Sequence, residues 1–450
     1  MSSEIHNWGR DIYSYPEVVV TPASVEELQE IMRNETDFPA PVRAVGSNHS
    51  TTRCATADNG TVVEMKKLNL ILDIAEDTVT TQGGTLYIDT ALALEKEGKQ
   101  LFVNVELGNL SLGSACTGGT KDASMPGEVG QVCSYAINIK MVCPGGELIE
   151  FNEHDPEALQ LARSSYGLFG IVYEVTFRIQ KLRPMAIYHE NYSLDTFINE
   201  LPALKARNES IMLYLFPHED KVTVEYRKYG DGSKTSSRWV WQLRNWFWKN
   251  FSPLFGWFVS RYVPWSGLRY WLVDSLNAIV RVVQKALLHS DRTSPAAQMI
   301  RYPETSGRSA YTFSIWAFPE QKYPEILRDY FQFCKDYYRK FDWRCDMLNV
   351  GYYIAQDQGS LFSYSYDGAV LTLDPVSSGG HGWDEFLRAY NHFCSEMGGT
   401  PLFNQTKWIR PEQAHKAFGG RIKQFRAAAE KYDPRQRMLN DYFRQQLFED

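Results

Sequence analysis

Apolar positions along the chain recur with a helical period in some stretches and in short alternating or continuous runs in others. Leu28, Ile31 and Met32 give one apolar side to a segment whose start is marked by a capping box of Ser24 and Glu27. Residues 42–45 read as a strand that runs straight into Gly46-Ser47-Asn48-His49-Ser50. Further strands are predicted over 61–65, 70–74 and 78–81, with a helix near 88–97. Asp155 and Pro156 supply an N-cap and a first-turn proline for a helix carrying Leu159, Leu161 and Ala162 and ending at Gly167. An alternating strand follows over 171–179, and Lys181, Arg183 and Pro184 then interrupt the pattern, which places a domain boundary there. Beyond it come aromatic strands over 211–216, 222–229, 311–317, 348–355 and 360–373, and a helix over 324–339. The last stretch, 411–450, reads as a helix, then Asp433-Pro434 and a short terminal element. The fold class is α+β.

The length of 450 residues sets an expectation of two or three domains at about 150 residues each. Hydrophobic residues at 44%, charged at 22% and aromatic at 14% exclude disorder and collagen-like repeats. A formal charge of -7 removes any global attraction to nucleic acid. The seven cysteines (Cys54, Cys116, Cys133, Cys143, Cys334, Cys345, Cys394) are scattered and lack metal-type spacing. No metal site is therefore expected, and reduced thiols point to an intracellular protein, cytoplasmic or attached peripherally to a membrane surface. Glu4, His6 and Asp11 stand where a secretory signal would be basic and then apolar. No apolar run reaches the roughly 18 residues of a membrane span.

Two stretches are too poor in bulky side chains to be packing elements. The turn at 46–50 offers consecutive backbone N–H groups, a nest suited to a diphosphate, although a plain polar turn has the same composition. The small-residue run 108–122 requires something to approach its backbone closely. In the order "VGSNHS", "SLGSACTGGTKD", "ARSSYGLFGIVYEVTFRI", the sequence resembles the FAD-binding domain of the vanillyl-alcohol-oxidase (PCMH) type. Within that group it is most similar to the sugar-1,4-lactone (gulonolactone and arabinonolactone) and alditol oxidase branch. "MLNDYF" resembles the branch's closing Asn-x-Tyr element, here Asn440 and Tyr442.

The resemblance implies a two-part FAD-binding domain over 1–183, a mixed-sheet cap domain with helices over 184–400, and a C-terminal segment, 401–450, returning to the flavin site. It implies that Gly46, Ser47, Asn48, His49 and Ser50 cradle the pyrophosphate, with His49 at the position many members bond covalently to the flavin; the alternative is that His49 only packs on the ring. A histidyl substituent would raise the flavin's reduction potential. Ser111, Gly113, Cys116, Gly119 and Lys121 fall on the second flavin-lining loop, Lys121 replacing a histidine common in the branch, and Ile171 falls where a backbone group holds the cofactor. Cys116 is either a second covalent attachment point or, more economically, a buried inert thiol. The implied reaction is hydride removal from a CH–OH carbon, with O2 favoured as acceptor because Gly113 leaves room beside the ring.

On the substrate side, the branch carries a Glu and an Arg two residues apart on a cap strand. The corresponding strand is 347–353, so the pair becomes Asn349 and Gly351, neither of which can abstract a proton. Tyr353 shares their face and is either a hydrogen-bond donor or a packing ring. Gln405 and Lys407 fall where the family often has a substrate-binding lysine, or else on an exposed loop beside Trp408. The substrate is expected to be a small-molecule alcohol or lactone, or a lipid-like alcohol; a flavin-fold binding protein without turnover is the reading from another class.

Residues 238–290 form an insertion in the cap. It carries seven of the chain's 12 tryptophans (Trp239, Trp241, Trp246, Trp248, Trp257, Trp265, Trp271) and, over 238–285, seven basic residues against Asp274 alone. Rings mixed with cations suit a lipid headgroup boundary. Pro253 and Pro264 should break the segment into short helices. Helices buried against the cap, or an oligomer contact, are the competing readings. The gulonolactone oxidase branch has a similar insertion and membrane-bound animal members.

Overall fold

Short apolar strands around a parallel core open the chain in the computed structural model, which describes residues 4–230, 238–288, 291–304 and 306–449. Val18–Val20, Thr61–Glu64 and Val42–Val45 lie side by side and parallel, with Thr61–Glu64 in the centre. The helix Val25–Arg33 connects the two outer strands and buries Leu28, Ile31 and Met32. Its box closes with a shift: the Ser24 hydroxyl accepts from Glu27 N, while the Glu27 carboxylate accepts from Ala23 N. Val42–Val45 ends at Gly46 and delivers the 46–50 turn at its C-terminal edge.

A second, antiparallel sheet follows in the order Leu148–Asn152, Ala136–Val142, Ile171–Lys181, Thr78–Gln82, Ile71–Ile74, with Lys99–Leu101 also pairing on Ile171–Lys181. The helix begun by Asp155 and Pro156 stops at Ala162 rather than Gly167. Tertiary contacts end it: Arg163 donates to the carbonyls of Ala136 and Gly359, and the Ser164 hydroxyl accepts from Phe362 N. Tyr166 and Gly167 then take positive φ.

Beyond residue 184 an eight-stranded sheet runs Asp291–Thr293, Met185–Ser193, Lys221–Tyr229, Ser210–Phe216, Asn349–Ile354, Val370–Leu373, Trp316–Pro319, Thr400–Pro401. One face packs on the helices Leu194–Ala206, Tyr323–Phe341 and Trp383–Glu396 in a core of its own. The other core belongs to the first two sheets and takes in Phe403, Phe418, Phe425 and Phe443 from the C-terminal helices, so the chain's last part returns to its first. Two predicted strands are shorter than expected. Of 360–373 only Val370–Leu373 is a strand, because Ser363 and Ser365 bond to Gln131 and to each other instead of to a ladder. The run 311–317 splits into Thr312–Phe313 and Trp316–Pro319, which pair with different partners.

The insertion folds as Arg238–Trp246, a π-helical turn Phe247–Phe251, Ser252–Tyr262 and Ser266–Leu287. Residues 289 and 290 at its end lie outside the described residues. Pro253 sits in a first turn and Pro264 between helices, but the last helix is long, at 22 residues. Trp241 is buried, Trp248 and Trp257 are half-buried, and Trp239, Trp246, Trp265 and Trp271 are exposed. One side of the insertion packs on the rest of the chain and the other leaves rings exposed. The basic count overstates the outer charge, since Arg244 pairs with Glu106 and Arg281 with Glu219. Among the described residues no helix is long and apolar enough to cross a membrane.

Candidate functional site

The two side-chain-poor loops meet each other. A Cβ on Gly46 would stand 2.6 Å from Ser111 Cβ, and one on Gly113 would stand 2.8 Å from Gly83 O. The close approach that the small residues demand is therefore first of all loop on loop. Gly113 is needed for this backbone packing, so its missing side chain faces Gly83 and opens no room for oxygen. Between the loops lies a cavity lined by Arg43, Gly46, Ser50, Ser111, Gly118 and Asn404, among others. No hydrogen bond engages the backbone N–H groups of Ser47, Asn48, His49 or Ser50, nor that of Gly118, while the Gly119 N–H is taken by the Tyr166 hydroxyl oxygen. Asn48 holds φ at 52°, and its side chain donates to His6 O, which fixes the turn.

Arg43, which the sequence pattern did not single out, is buried there and donates to the carbonyls of Cys54, Tyr166, Gly167 and Met438. Burial lowers its pKa to about 10, leaving it cationic at neutral pH. The Arg43 cation with its Nε–H free, the unengaged amides as donors and the unpartnered Asn404 Oδ1 as an acceptor fit a dinucleotide's phosphates and polar edge. The residues present therefore fit FAD.

His49 ends the turn in a narrow crevice shared with Trp8, Leu107, Tyr311 and Phe313. Its ring stacks on Trp8 with centroids 5.0 Å apart. Burial pushes its pKa down to about 4, so the imidazole is neutral at physiological pH. Leu107, Tyr311 and Phe313 also line the next cavity, of about 170 Å³, between the second loop and the cap sheet. Its walls are chiefly aliphatic and aromatic: Met212, Tyr214, Trp248, Tyr302, Leu348, Val350 and Tyr352. Charges enter as pairs. Lys121 meets Asp374 at 3.1 Å, Asp122 meets Arg227 at 2.9 Å, and Glu106 meets Arg244. Gln405 lines this cavity as expected, with its Oε1 unpartnered.

Several predicted site residues are elsewhere. Asn349 and Tyr353 face the helix layer: Asn349 Nδ2 donates to the Tyr330 hydroxyl at 2.9 Å, and the Tyr353 ring packs on that core beneath Lys205. The cavity receives Leu348, Val350 and Tyr352 instead, because a register read one residue off sends every side chain to the opposite face. Gly351 lies with Asn349, its missing Cβ 3.3 Å from the Tyr323 hydroxyl. Lys407 is a buried structural cation, 2.9 Å from both Asp11 and Asp384, and does not line the cavity. Asn440 caps a C-terminal turn and donates to the carbonyls of Arg53, Cys54 and Thr56, while the Tyr442 hydroxyl donates to Phe403 O. Both tie the C-terminus to the nucleotide loop without lining it. Cys116 is fully buried, bonds Gly113 O and has its pKa raised by burial, as an inert thiol should. Ile171 is buried between Gly170 and Val172, which are among the residues that line the cavity between the loops.

Comparison with known proteins agrees with this geometry. A family model described as an FAD binding domain matches residues 16–152. An L-gulonolactone oxidase of Scyliorhinus torazame is 28% identical over 286 residues, 62% of this chain and 64% of that protein. A D-arabinono-1,4-lactone oxidase of Candida glabrata is 26% identical, covering 52% of this chain and 46% of that protein. An L-gulono-1,4-lactone dehydrogenase of Mycobacterium tuberculosis is 27% identical, covering 49% and 51%. The match thus spans less than two thirds of each relative's length. A cholesterol oxidase variant of Brevibacterium sterolicum superposes with a TM-score of 0.78 at 12% identity, over 99% of this chain and 97% of that one. Residues 16–152 match an FAD binding domain, set in a whole-chain fold like that of cholesterol oxidase and in a sequence similar to sugar-lactone oxidases and dehydrogenases.

Proposed function

We propose that the protein is an FAD-dependent oxidoreductase that removes hydride from the CH–OH carbon of a small alcohol whose remaining body is apolar. The observation that carries this is the cavity beside the His49 crevice, walled by rings and aliphatic groups and open to few unpaired polar atoms. FAD, when bound, supplies the hydride acceptor. Arg43 and the free amides of both loops would hold its phosphates. His49, neutral and held against Trp8, is suited to tether the flavin covalently. The missing Glu-x-Arg pair, replaced on the cavity face by Val350 and Tyr352, argues for an amphiphilic alcohol over the polyols and lactones named for the relatives. The exposed tryptophans of the insertion support delivery of such a molecule from a membrane surface, since the same π-helical turn that carries Trp248 into the cavity wall follows directly on exposed Trp246. The electron acceptor is either O2 or a dye-like or quinone partner, as the relatives' names include both oxidases and a dehydrogenase.

The test is purification followed by acid precipitation, with yellow colour expected to stay with the polypeptide and to be lost in His49→Ala. Anaerobic bleaching of the flavin is then compared for geraniol, farnesol, L-gulono-1,4-lactone and D-arabinono-1,4-lactone. Faster bleaching by the isoprenoid alcohols is expected. Bleaching by the lactones alone would return the substrate to the relatives' class, and tight binding with no bleaching would make the protein a flavin-fold binder. Peroxide release on readmitting air separates oxidase from dehydrogenase.

A further inference from the structure

One carboxylate lines the apolar cavity and not the cavity between the two small-residue loops. Asp374 directly follows the strand Val370–Leu373 and is 2% exposed. Its backbone is locked in both directions to Val350, N to O at 2.8 Å and O to N at 3.0 Å. Asp374 Oδ2 accepts from Lys121 Nζ, and that ammonium also sits 3.7 Å from the Tyr352 ring centroid, so it is fixed from two sides. Asp374 Oδ1 has no donor within hydrogen-bond distance, the Thr372 hydroxyl being a further donor that bears on the carboxylate. The other carboxylates on the cavity are each paired with an arginine, Asp122 Oδ1 with Arg227 and with Ala123 N, Glu106 Oε1 with Arg244, where Asp374 is paired with a lysine. Asp374 and Gln405 thus both line one cavity, and each keeps a buried oxygen, Oδ1 and Oε1, without a hydrogen-bond donor. A buried acceptor left unmatched is unfavourable, and a ligand O–H would satisfy it.

We propose that Asp374 is the catalytic residue that takes the hydroxyl proton of the substrate alcohol, and that Lys121 is the positioning residue that holds its carboxylate. The assignment rests on the oxidoreductase reading above. The alcohol's O–H bond breaks and its proton forms a new O–H bond at Asp374 Oδ1. The C–H bond breaks with its electron pair leaving as hydride to FAD, and the carbon–oxygen bond becomes a carbonyl. The alcohol is oxidised by two electrons and FAD is reduced by two. Burial raises the basicity of Asp374, with Lys121 and the Thr372 hydroxyl pulling the other way. The remaining groups that face it are Tyr352 on the neighbouring strand, Tyr323 and Tyr390 on the covering helices, which donate to the carbonyls of Thr372 and Leu373, Tyr364, and Asp122 beside Lys121.

The experiment uses the FAD-loaded full chain with geraniol and with geranyl methyl ether, which cannot donate. Wild type should bind the alcohol at least about tenfold tighter than the ether, read from quenching of tryptophan fluorescence. Asp374→Asn keeps an acceptor, so that preference should survive, while flavin bleaching by the fastest alcohol of the panel falls by about 10²–10⁴-fold. The charge-free pair Lys121→Met/Asp374→Ala, which leaves no buried ion unmatched, should lose the preference altogether. Lys121→Met alone should move the acid limb of the bleaching rate to higher pH, because loss of the cation raises the Asp374 pKa and activity falls as pH drops through it; Lys121→Arg should restore the limb. Bleaching of Asp374→Asn within about threefold of wild type overturns the assignment alone. So does equal wild-type affinity for alcohol and ether. Failure of every panel alcohol to bleach wild type overturns the oxidoreductase reading and this assignment with it.

Discussion

Gly46 is the point at which the two flavin-side loops touch, and a single methyl there would overlap the Ser111 side chain. Gly46→Ala should therefore lower stability by about 1–3 kcal/mol, as overpacking does, and purify with less flavin, measurable by thermal unfolding and by the flavin content of the isolated protein. Arg43 is a different kind of keystone, a guanidinium shared among four carbonyls. Its replacement by Met should cost more than about 3 kcal/mol, because those carbonyls lose their donor where water is excluded. Two histidines set an acid limit. Burial, with Arg344 and Lys335 nearby, pushes His218 down to about 3, and burial pushes His49 to about 4, against 6.5 in an open chain. The unfolded chain therefore binds protons that the folded one refuses as pH falls below 6.5, so stability is lost progressively toward pH 3 to 4. His218→Gln should show a smaller drop in melting temperature across that window than wild type.

The strand Asn349–Ile354 carries the sharpest lesson among the elements. Its sequence sets Asn349, Gly351 and Tyr353 on one face and Val350, Tyr352 and Ile354 on the other, with a tyrosine on each, and this does not say which side meets the cavity. The resemblance put Asn349 there; the pairing with Ser210–Phe216 and the backbone lock of Val350 to Asp374 put Val350 and Tyr352 there instead. Asn349→Ala should accordingly cost about 1–2 kcal/mol through the abandoned Tyr330 hydroxyl and leave flavin reduction unchanged. Tyr352→Leu should disturb reduction, since Lys121 loses the ring beneath its ammonium. Comparing unfolding free energies with anaerobic bleaching rates for the two variants checks both statements. The helix Val25–Arg33 behaved oppositely: its cap and its apolar side are written in consecutive residues, and it forms where they predict.

For the molecule as a whole, two cores flank a chain of cavities, and the C-terminal helices rejoin the first core, with Asn440 and Tyr442 clasping the loop after the nucleotide turn. The insertion hangs from the cap with Trp239, Trp246, Trp265 and Trp271 outward. The wild-type protein is expected to float with phosphatidylserine-containing vesicles in a density gradient, and the fourfold Trp→Ser variant at those positions to remain with the soluble fraction. High salt should release it only in part, because part of the insertion's basic charge is spent on Glu106 and Glu219 and the rings carry the rest. What the sequence alone determined were the features that depend on neighbouring residues: caps, the strand into the glycine turn at 46–50 and the aromatic segment. The tertiary structure alone decided which strand face meets the cavity, that Lys407, Asn440 and Tyr442 are braces, that Arg43 lies in the cavity between the two loops, and that Asp374, with one oxygen unpartnered, lines an apolar wall. These depend on register and on partners distant in the chain, and a side chain's neighbours across a sheet leave no trace in the residues beside it.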